Sequence, residues 1–154
     1  EKEYTSHWAG SDEPKDTYTI LYNKYHFIMQ DTTREYREHK QFLEDAHGNV
    51  LVGGLGLGMV NQPLMENPNV TSITIIEKYQ EVIDLVWPYC PKNEKIRLVH
   101  ADIYKWEPDS KWDIGWFDSW CGENEHSEYK KLMNEKYGSS CKDIRFWKCF
   151  GYSG

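Results

Sequence analysis

The chain has no Cys-x-x-Cys pair, no excess of basic residues and no long apolar run, and each absence closes a class of function. Its four cysteines, Cys90, Cys121, Cys141 and Cys149, are too few and too scattered for the disulfide frame of a small secreted domain. They read as reduced thiols, so a cytoplasmic location is the expectation. The longest stretch free of Asp, Glu, Lys and Arg, Ala46 to Met65, holds five glycines and Pro63 and is not a membrane span. Lys and Arg number 18 against 25 Asp and Glu, a formal charge of 18 − 25 = −7. That balance disfavours a broad grip on nucleic-acid phosphates and leaves room only for a small basic patch. The first residues, Glu1-Lys2-Glu3-Tyr4, show no initiator Met and no apolar segment of a secretory signal, so no export signal is read there. Neither a membrane nor a nucleic acid is expected as partner.

What the sequence does have is aromatic bulk. Its apolar fraction is only 39%, but 7 Trp, 11 Tyr and 5 Phe enlarge each buried contact, and 154 residues suffice for one domain. Residues 1–15 mix charge with Gly10 and Pro14 and read as a flexible arm, with Trp8 the candidate to pin it. Within residues 16–48, Tyr18 to Tyr22 and Tyr25 to Met29 form two aromatic, β-favouring runs across a two-residue gap, the spacing of a hairpin. Thr32-x-x-Glu35 is a capping box, and a helix over Thr33 to Ala46 sets Tyr36, His39 or Lys40, and Leu43 on one face.

From residue 49 to 154 strand and helix alternate. Val50 to Val52, Val70 to Glu77, Ile96 to His100, Trp112 to Asp118 and Ile144 to Phe150 read as strands. Met59 to Asn67, started late or kinked by Pro63, Gln80 to Trp87, closed by Pro88, and Gly122 to Tyr137 read as helices. This pattern predicts an α/β, doubly wound parallel sheet of Rossmann-like type in order 3-2-1-4-5, preceded by the hairpin and helix.

The strongest motif is Val50-Leu51-Val52-Gly53-Gly54-Leu55-Gly56-Leu57-Gly58, a strand running into Gly54-x-Gly56-x-Gly58. Glycines there let the backbone turn tightly and approach a nucleotide-like ligand. Met59 occupies the place where a dinucleotide fingerprint has Gly or Ala, and no Gly-Lys-Ser/Thr follows for a phosphate loop. The pattern suits an uncharged adenosine ligand, S-adenosylmethionine above all; NAD is a distant alternative. Three acids close successive strands. Glu77 stands 77 − 58 = 19 residues after the last glycine, placed to accept from both ribose hydroxyls. Asp102, followed by Ile103, comes after the third strand at the adenine end, and Asp118 closes the fourth. Any one such acid is more often a helix cap; three in succession point to a ligand.

The run from Val50 to Asp118 resembles the core of class I S-adenosylmethionine-dependent methyltransferases. Its Val-Leu-Val-Gly-Gly-x-Gly-x-Gly is most similar to the branch holding spermidine synthases and small methyltransferase-like proteins of phage or bacterial genomes. The preceding hairpin, Gln30 and the Tyr36/His39 helix resemble that branch's N-terminal element. The resemblance implies Gly54, Gly56, Gly58, Glu77, Asp102, Ile103 and Asp118 around the cofactor. It implies Asp118 as catalytic base or acceptor anchor. Departures are as informative. Aminopropyltransferases carry Asp-Ser-x-Asp-Pro here, whereas Asp118-Ser119-Trp120-Cys121 keeps the first acid and loses the second. The Asn/Asp-Pro-Pro-Tyr run of amino-directed nucleic-acid methyltransferases is absent. Only 154 − 118 = 36 residues follow Asp118, so a trimmed core is expected.

Other constellations are thinner. Cys121, His126, Cys141 and Cys149 match no usual zinc spacing, and no metal is expected. Cys121 and His126 are not spaced to form a nucleophile pair. Trp112, Trp116, Trp120 and Trp147 divide between core packing and a pocket wall over a cation. The expected function is methyl transfer to a small, cationic acceptor, with Ser119, Trp120 and Glu123 beside Asp118 on the acceptor side and Glu125 adding negative potential. Two alternatives stay open: aminopropyl transfer from decarboxylated S-adenosylmethionine, and a binding or interaction protein without chemistry. Aromatics on the edge of a five-stranded sheet also leave a homodimer open.

Overall fold

The computed structural model describes residues 2–4, 16–18, 20–22, 27–30, 33–118 and 126–147. Near the N-terminus lie two short antiparallel pairs. β1 (Lys2–Tyr4) pairs with β2 (Asp16–Tyr18), and β3 (Ile20–Tyr22) with β4 (Phe27–Gln30). A strand thus sits within the span read as an arm; residues 5–15, Trp8 among them, lie outside the described residues. The second pair is the expected hairpin with both strands starting later, since Tyr18 pairs with Lys2 in the first pair and the run expected from Tyr25 begins at Phe27. Leu21 pairs with Met29 and Tyr22 with Phe27, so Ile28 bulges out of register.

Helix α1 (Thr33–Asp45) turns His39, Phe42 and Ala46 inward, each almost fully buried, while Lys40 stays in solvent. The i, i+3, i+7 spacing resolves the choice between His39 and Lys40 for the inner face. Thr32 of the capping box lies outside the described residues.

The remaining chain builds a parallel sheet. β5 (Gly48–Gly53) is its centre, with β6 (Val70–Glu77) and β7 (Ile96–His100) on one side and β8 (Trp112–Phe117) and β9 (Cys141–Phe146) on the other. The order β7-β6-β5-β8-β9 is the 3-2-1-4-5 arrangement expected from the strand–helix alternation. β5 is buried on both faces because parallel crossovers put helices above and below it. Val50 and Val52 pack with Phe42 of α1, Leu64 of α2 (Asn61–Glu66) and Val82 of α3 (Gln80–Val86). Leu51 faces the other way, toward Tyr129, Met133 and Tyr137 of α4 (His126–Tyr137). Burial of each such aliphatic side chain stabilises the fold by about 1.5–3 kcal/mol.

Three boundaries differ from expectation, each for a local reason. α2 starts at Asn61, which leaves Pro63 at the third helical position, where its missing N–H has no intrahelical partner to lose. α3 stops at Val86, and Trp87–Tyr89 tighten into a 3-10 turn, since Pro88 has no N–H to continue the α-helical ladder. The last strand runs Cys141–Phe146 and not Ile144 to Phe150. Ser140 bonds back to Tyr137 in a tight turn after α4, which brings Cys141 opposite Trp112 three residues earlier than the aromatic pattern suggests. Trp147 still donates its N–H to Phe117 O; residues 148–154 lie outside the described residues. The helix expected from Gly122 is described from His126.

β5 opens at Gly48, whose φ of 62° puts it in the left-handed region. A Cβ there would lie 2.0 Å from Asp113 Oδ2, the same carboxylate oxygen that accepts the Asn49 N–H at 2.9 Å. This hydrogen bond, with Lys142 nearby, holds the Asp113 carboxyl below its ordinary range. Gly48→Ala should therefore lower stability in urea unfolding by about 1–3 kcal/mol, the scale of a strained non-glycine backbone. Adding Asp113→Ala, which removes the clash, should cost less than the sum of the single changes. Full additivity would show that the carboxylate does not set the requirement for glycine.

Candidate functional site

The site lies where β5, β6, β7 and β8 end. At the exit of β5 the chain enters a turn that only glycine fits. Gly54, Gly56 and Gly58 have φ of 112°, 51° and 71°, all in territory that L side chains rarely adopt. Space is limiting as well: a Cβ on Gly54 would sit 2.6 Å from Asp118 O, and one on Gly58 2.8 Å from Cys90 Sγ. Gly58 N–H closes the turn onto Leu55 O at 2.8 Å.

Neighbouring strands hold this turn from both sides. Gly54 N–H donates to Ile76 O at 2.8 Å and Asp118 N–H to Gly53 O at 3.0 Å. Glu77, only 7% exposed, accepts from Leu55 N–H through Oε2 at 2.8 Å and from Tyr79 N–H through Oε1 at 3.0 Å. A carboxylate has about four acceptor positions, so two remain after the protein's own bonds are made.

The β7 end is joined to the same rim, because Ala101 N–H donates to Glu77 O at 2.9 Å. Asp102 then caps the following turn: its Oδ1 accepts from Tyr104 N–H at 2.9 Å, and Lys78 Nζ lies 3.7 Å from Oδ2. Ile103 is buried beneath the glycine turn, within van der Waals reach of the position a Gly53 Cβ would take, and its carbonyl accepts the Tyr137 hydroxyl at 2.6 Å. The structure therefore gathers Gly54, Gly56, Gly58, Glu77, Asp102 and Asp118 at one set of strand ends and places the Ile103 side chain in the α4-face core. Ser119, Trp120, Cys121, Glu123 and Glu125 lie outside the described residues.

Sequence reasoning missed His39 as a site residue. Its ring is buried on α1, with Nε2 3.6 Å from Asp118 Oδ2 and its centroid 5.4 Å from Trp116. Tyr79 and Tyr104 are exposed rings two residues after Glu77 and Asp102. His100, the last residue of β7, bonds through Nε2 to Lys78 O at 2.9 Å. Trp116 and Trp147 pack in the α1-face core, each with an indole N–H that finds no acceptor among the described residues, and Trp112 packs in the α4-face core. Of the thiols, Cys90 touches the Asn61 amide beside the glycine turn, and Cys141 packs in the core, where burial pushes it up to about 11. Among the described residues no group of three metal-ligating side chains converges.

This arrangement is the Rossmann-like methyltransferase fold. No protein-family model matches the sequence, and no curated protein matches it. Solved structures do. DhpI, in a complex with SAM and HEP, is 17% identical with a TM-score of 0.55, over 72% of this chain and 52% of that one. The 23S rRNA methyltransferase ErmE is 16% identical with a TM-score of 0.56, over 71% and 44% respectively. The glycopeptide N-methyltransferase MtfA, complexed with S-adenosyl-L-methionine, is 15% identical with a TM-score of 0.50, over 70% and 49%. The chain spans about half the length of these structures.

The Glu77 bonds carry a stability prediction. Glu77→Ala orphans the N–H groups of Leu55 and Tyr79 and should cost about 1–3 kcal/mol in urea unfolding. An unchanged midpoint would mean that the carboxylate does not hold the turn.

Proposed function

We propose that this protein binds S-adenosylmethionine at the ends of β5, β6 and β7 and transfers its methyl group to a small, cationic acceptor held at Asp118. The observation that carries the reading is the glycine turn itself, three left-handed glycines gripped between the Glu77 carboxylate and the Asp118 backbone. A Cβ at position 54 would lie 2.6 Å from Asp118 O, so the turn keeps bare backbone there, and Glu77 keeps acceptor positions for ribose hydroxyls. Asp102 and the residues beside it serve the adenine end. The three acids also favour a ligand of positive charge. Similarity to structures named as complexes with SAM supports the same ligand.

Bound there, S-adenosylmethionine supplies an electrophilic methyl on a sulfonium. The chain's task is alignment and proton removal. Asp118 is packed against Gly54 and partly exposed. In this reading its carboxylate would hold the cationic acceptor and take a proton from the acceptor nitrogen, freeing the lone pair that receives the methyl group. Ser119, Trp120 and Glu123 follow in sequence and are assigned to the acceptor side. The branch resemblance to spermidine synthases keeps the decarboxylated cofactor as the competing ligand.

Calorimetric titration with S-adenosylmethionine, its decarboxylated form and NAD tests the reading without knowledge of the acceptor. Binding of the first in preference to the others is expected. Preference for the decarboxylated form would replace methyl by aminopropyl transfer, and preference for NAD would overturn both. Asp118→Asn should leave cofactor affinity near normal and lower labelled methyl transfer to amines on the order of 10²-fold, the scale of losing a general base. Loss of cofactor binding in that variant would make Asp118 a binding residue instead.

A further inference from the structure

The inner face of α1 carries one side chain that apolar packing does not explain. His39 is 1% exposed and shares that face with Phe42 and Ala46. Burying an imidazole there is costly unless its polar nitrogens are compensated. The Nε2–Asp118 Oδ2 approach supplies compensation: 3.6 Å is too long for a good hydrogen bond but within reach of electrostatic interaction between a buried ring and a partly exposed carboxylate.

Both partners are held in place. The His39 ring lies against Trp116 at 5.4 Å with a 54° tilt, and Trp116 is stacked on Phe42 at 4.9 Å and 20°, which limits rotation of the imidazole. Asp118 is fixed through its backbone, by its N–H bond to Gly53 O and by the packing of its carbonyl on Gly54. Lys40 is paired with Glu44 and Asp45 with Arg145, and Arg37 is exposed. The tie between Asp45 and Arg145 also anchors the end of the helix to β9.

We infer that His39 is a positioning residue for Asp118: it draws Oδ2 toward α1, so that Oδ1 is the oxygen left to the acceptor. His39 itself does not meet the acceptor. Oδ1 would take the proton from the acceptor nitrogen, which frees its lone pair, and the imidazole would keep the carboxylate in one orientation while it does so. This role rests on the methyltransferase reading of the site, whereas the pairing beneath it is measurable with no ligand at all.

The test is a nuclear magnetic resonance titration of the full chain without ligand, following the His39 ring and the Asp118 carboxyl carbon. Removing the carboxylate charge in Asp118→Asn should move the His39 midpoint down. Removing the imidazole in His39→Phe should change the chemical shift of the Asp118 carboxyl carbon at fixed pH, and His39→Gln, which keeps a donor, should return part of that change. A role limited to filling space alters neither signal. Identical His39 titrations in the parent and Asp118→Asn would overturn the proposal, and this comparison decides alone if His39→Phe does not fold. Calorimetry with S-adenosylmethionine on the parent separates the two levels. Coupled titrations without cofactor binding would overturn the methyltransferase reading and with it the positioning role. Binding without coupling would overturn the role of His39 alone.

Discussion

The feature on which the rest of the structure depends is the close approach of β5 and β8 at their exits. Asp118 N–H reaches Gly53 O, and the Asp118 carbonyl occupies space that any side chain on Gly54 would claim. On the other flank Gly54 N–H bonds to Ile76 O and Leu55 N–H to Glu77. The turn takes most of its shape from its neighbours and little from itself. Its form therefore requires β6, β5 and β8 to be in register together, as the pairings of Val52 with Ile75 and Trp116 show. A substituent at position 54 would push β8 outward, withdraw Asp118 from His39, and open the core in which Trp116 stacks on Phe42. One backbone contact thus links the sheet, the glycine cradle and the α1 wall.

Much of this was legible in the sequence because local signals and tertiary demands agree. Val50 to Val52 is apolar without alternation, as a strand covered on both faces must be, and the three glycines stand where left-handed backbone is needed. The acids at the ends of β6 and β7 fell where the alternation placed them. Legibility ended where pairing overrides composition. β9 begins with Cys141, Lys142 and Asp143, polar enough to be read as loop, because an edge strand needs only one partner and β8 supplies it. His39 was assignable to a helix face but not to Asp118, since nothing local links residues 118 − 39 = 79 positions apart. Glu77 was readable as an acid at a strand end, yet two of its acceptor positions serve backbone N–H groups that no spacing rule foretells.

The two faces of the sheet are covered unequally, and composition follows. α1, α2 and α3 lie on one side and α4 on the other, while the link from β7 to β8 contains no helix. Where a crossover helix would lay an apolar stripe, the amino halves of the strands present polar side chains bordering a groove of about 250 Å³. They compensate one another. Ser72 Oγ donates to Asn49 Oδ1, Arg97 Nε donates to Thr74 Oγ1, and the same guanidinium makes two bonds to Asp109. An apolar fraction of 39% is sufficient for this chain because only one face and part of the second must be dry.

That asymmetry leaves the carboxyl ends of the strands as the place where both cores meet. Glu77, Asp102 and Asp118 are each tied there by hydrogen bonds to the backbone: Glu77 to Leu55 and Tyr79, Asp102 to Tyr104, and Asp118 to Gly53. Asp102 O also receives the N–H groups of Lys105 and Trp106, which folds the chain after β7 into a fixed turn. Ordering a loop on binding costs affinity, at about 0.5–1.5 kcal/mol for each immobilised side chain. On the proposed reading, a ligand at this rim would meet groups that the fold itself orients and carboxylate oxygens already partly used, and would have to offer donors to the acceptor positions left over.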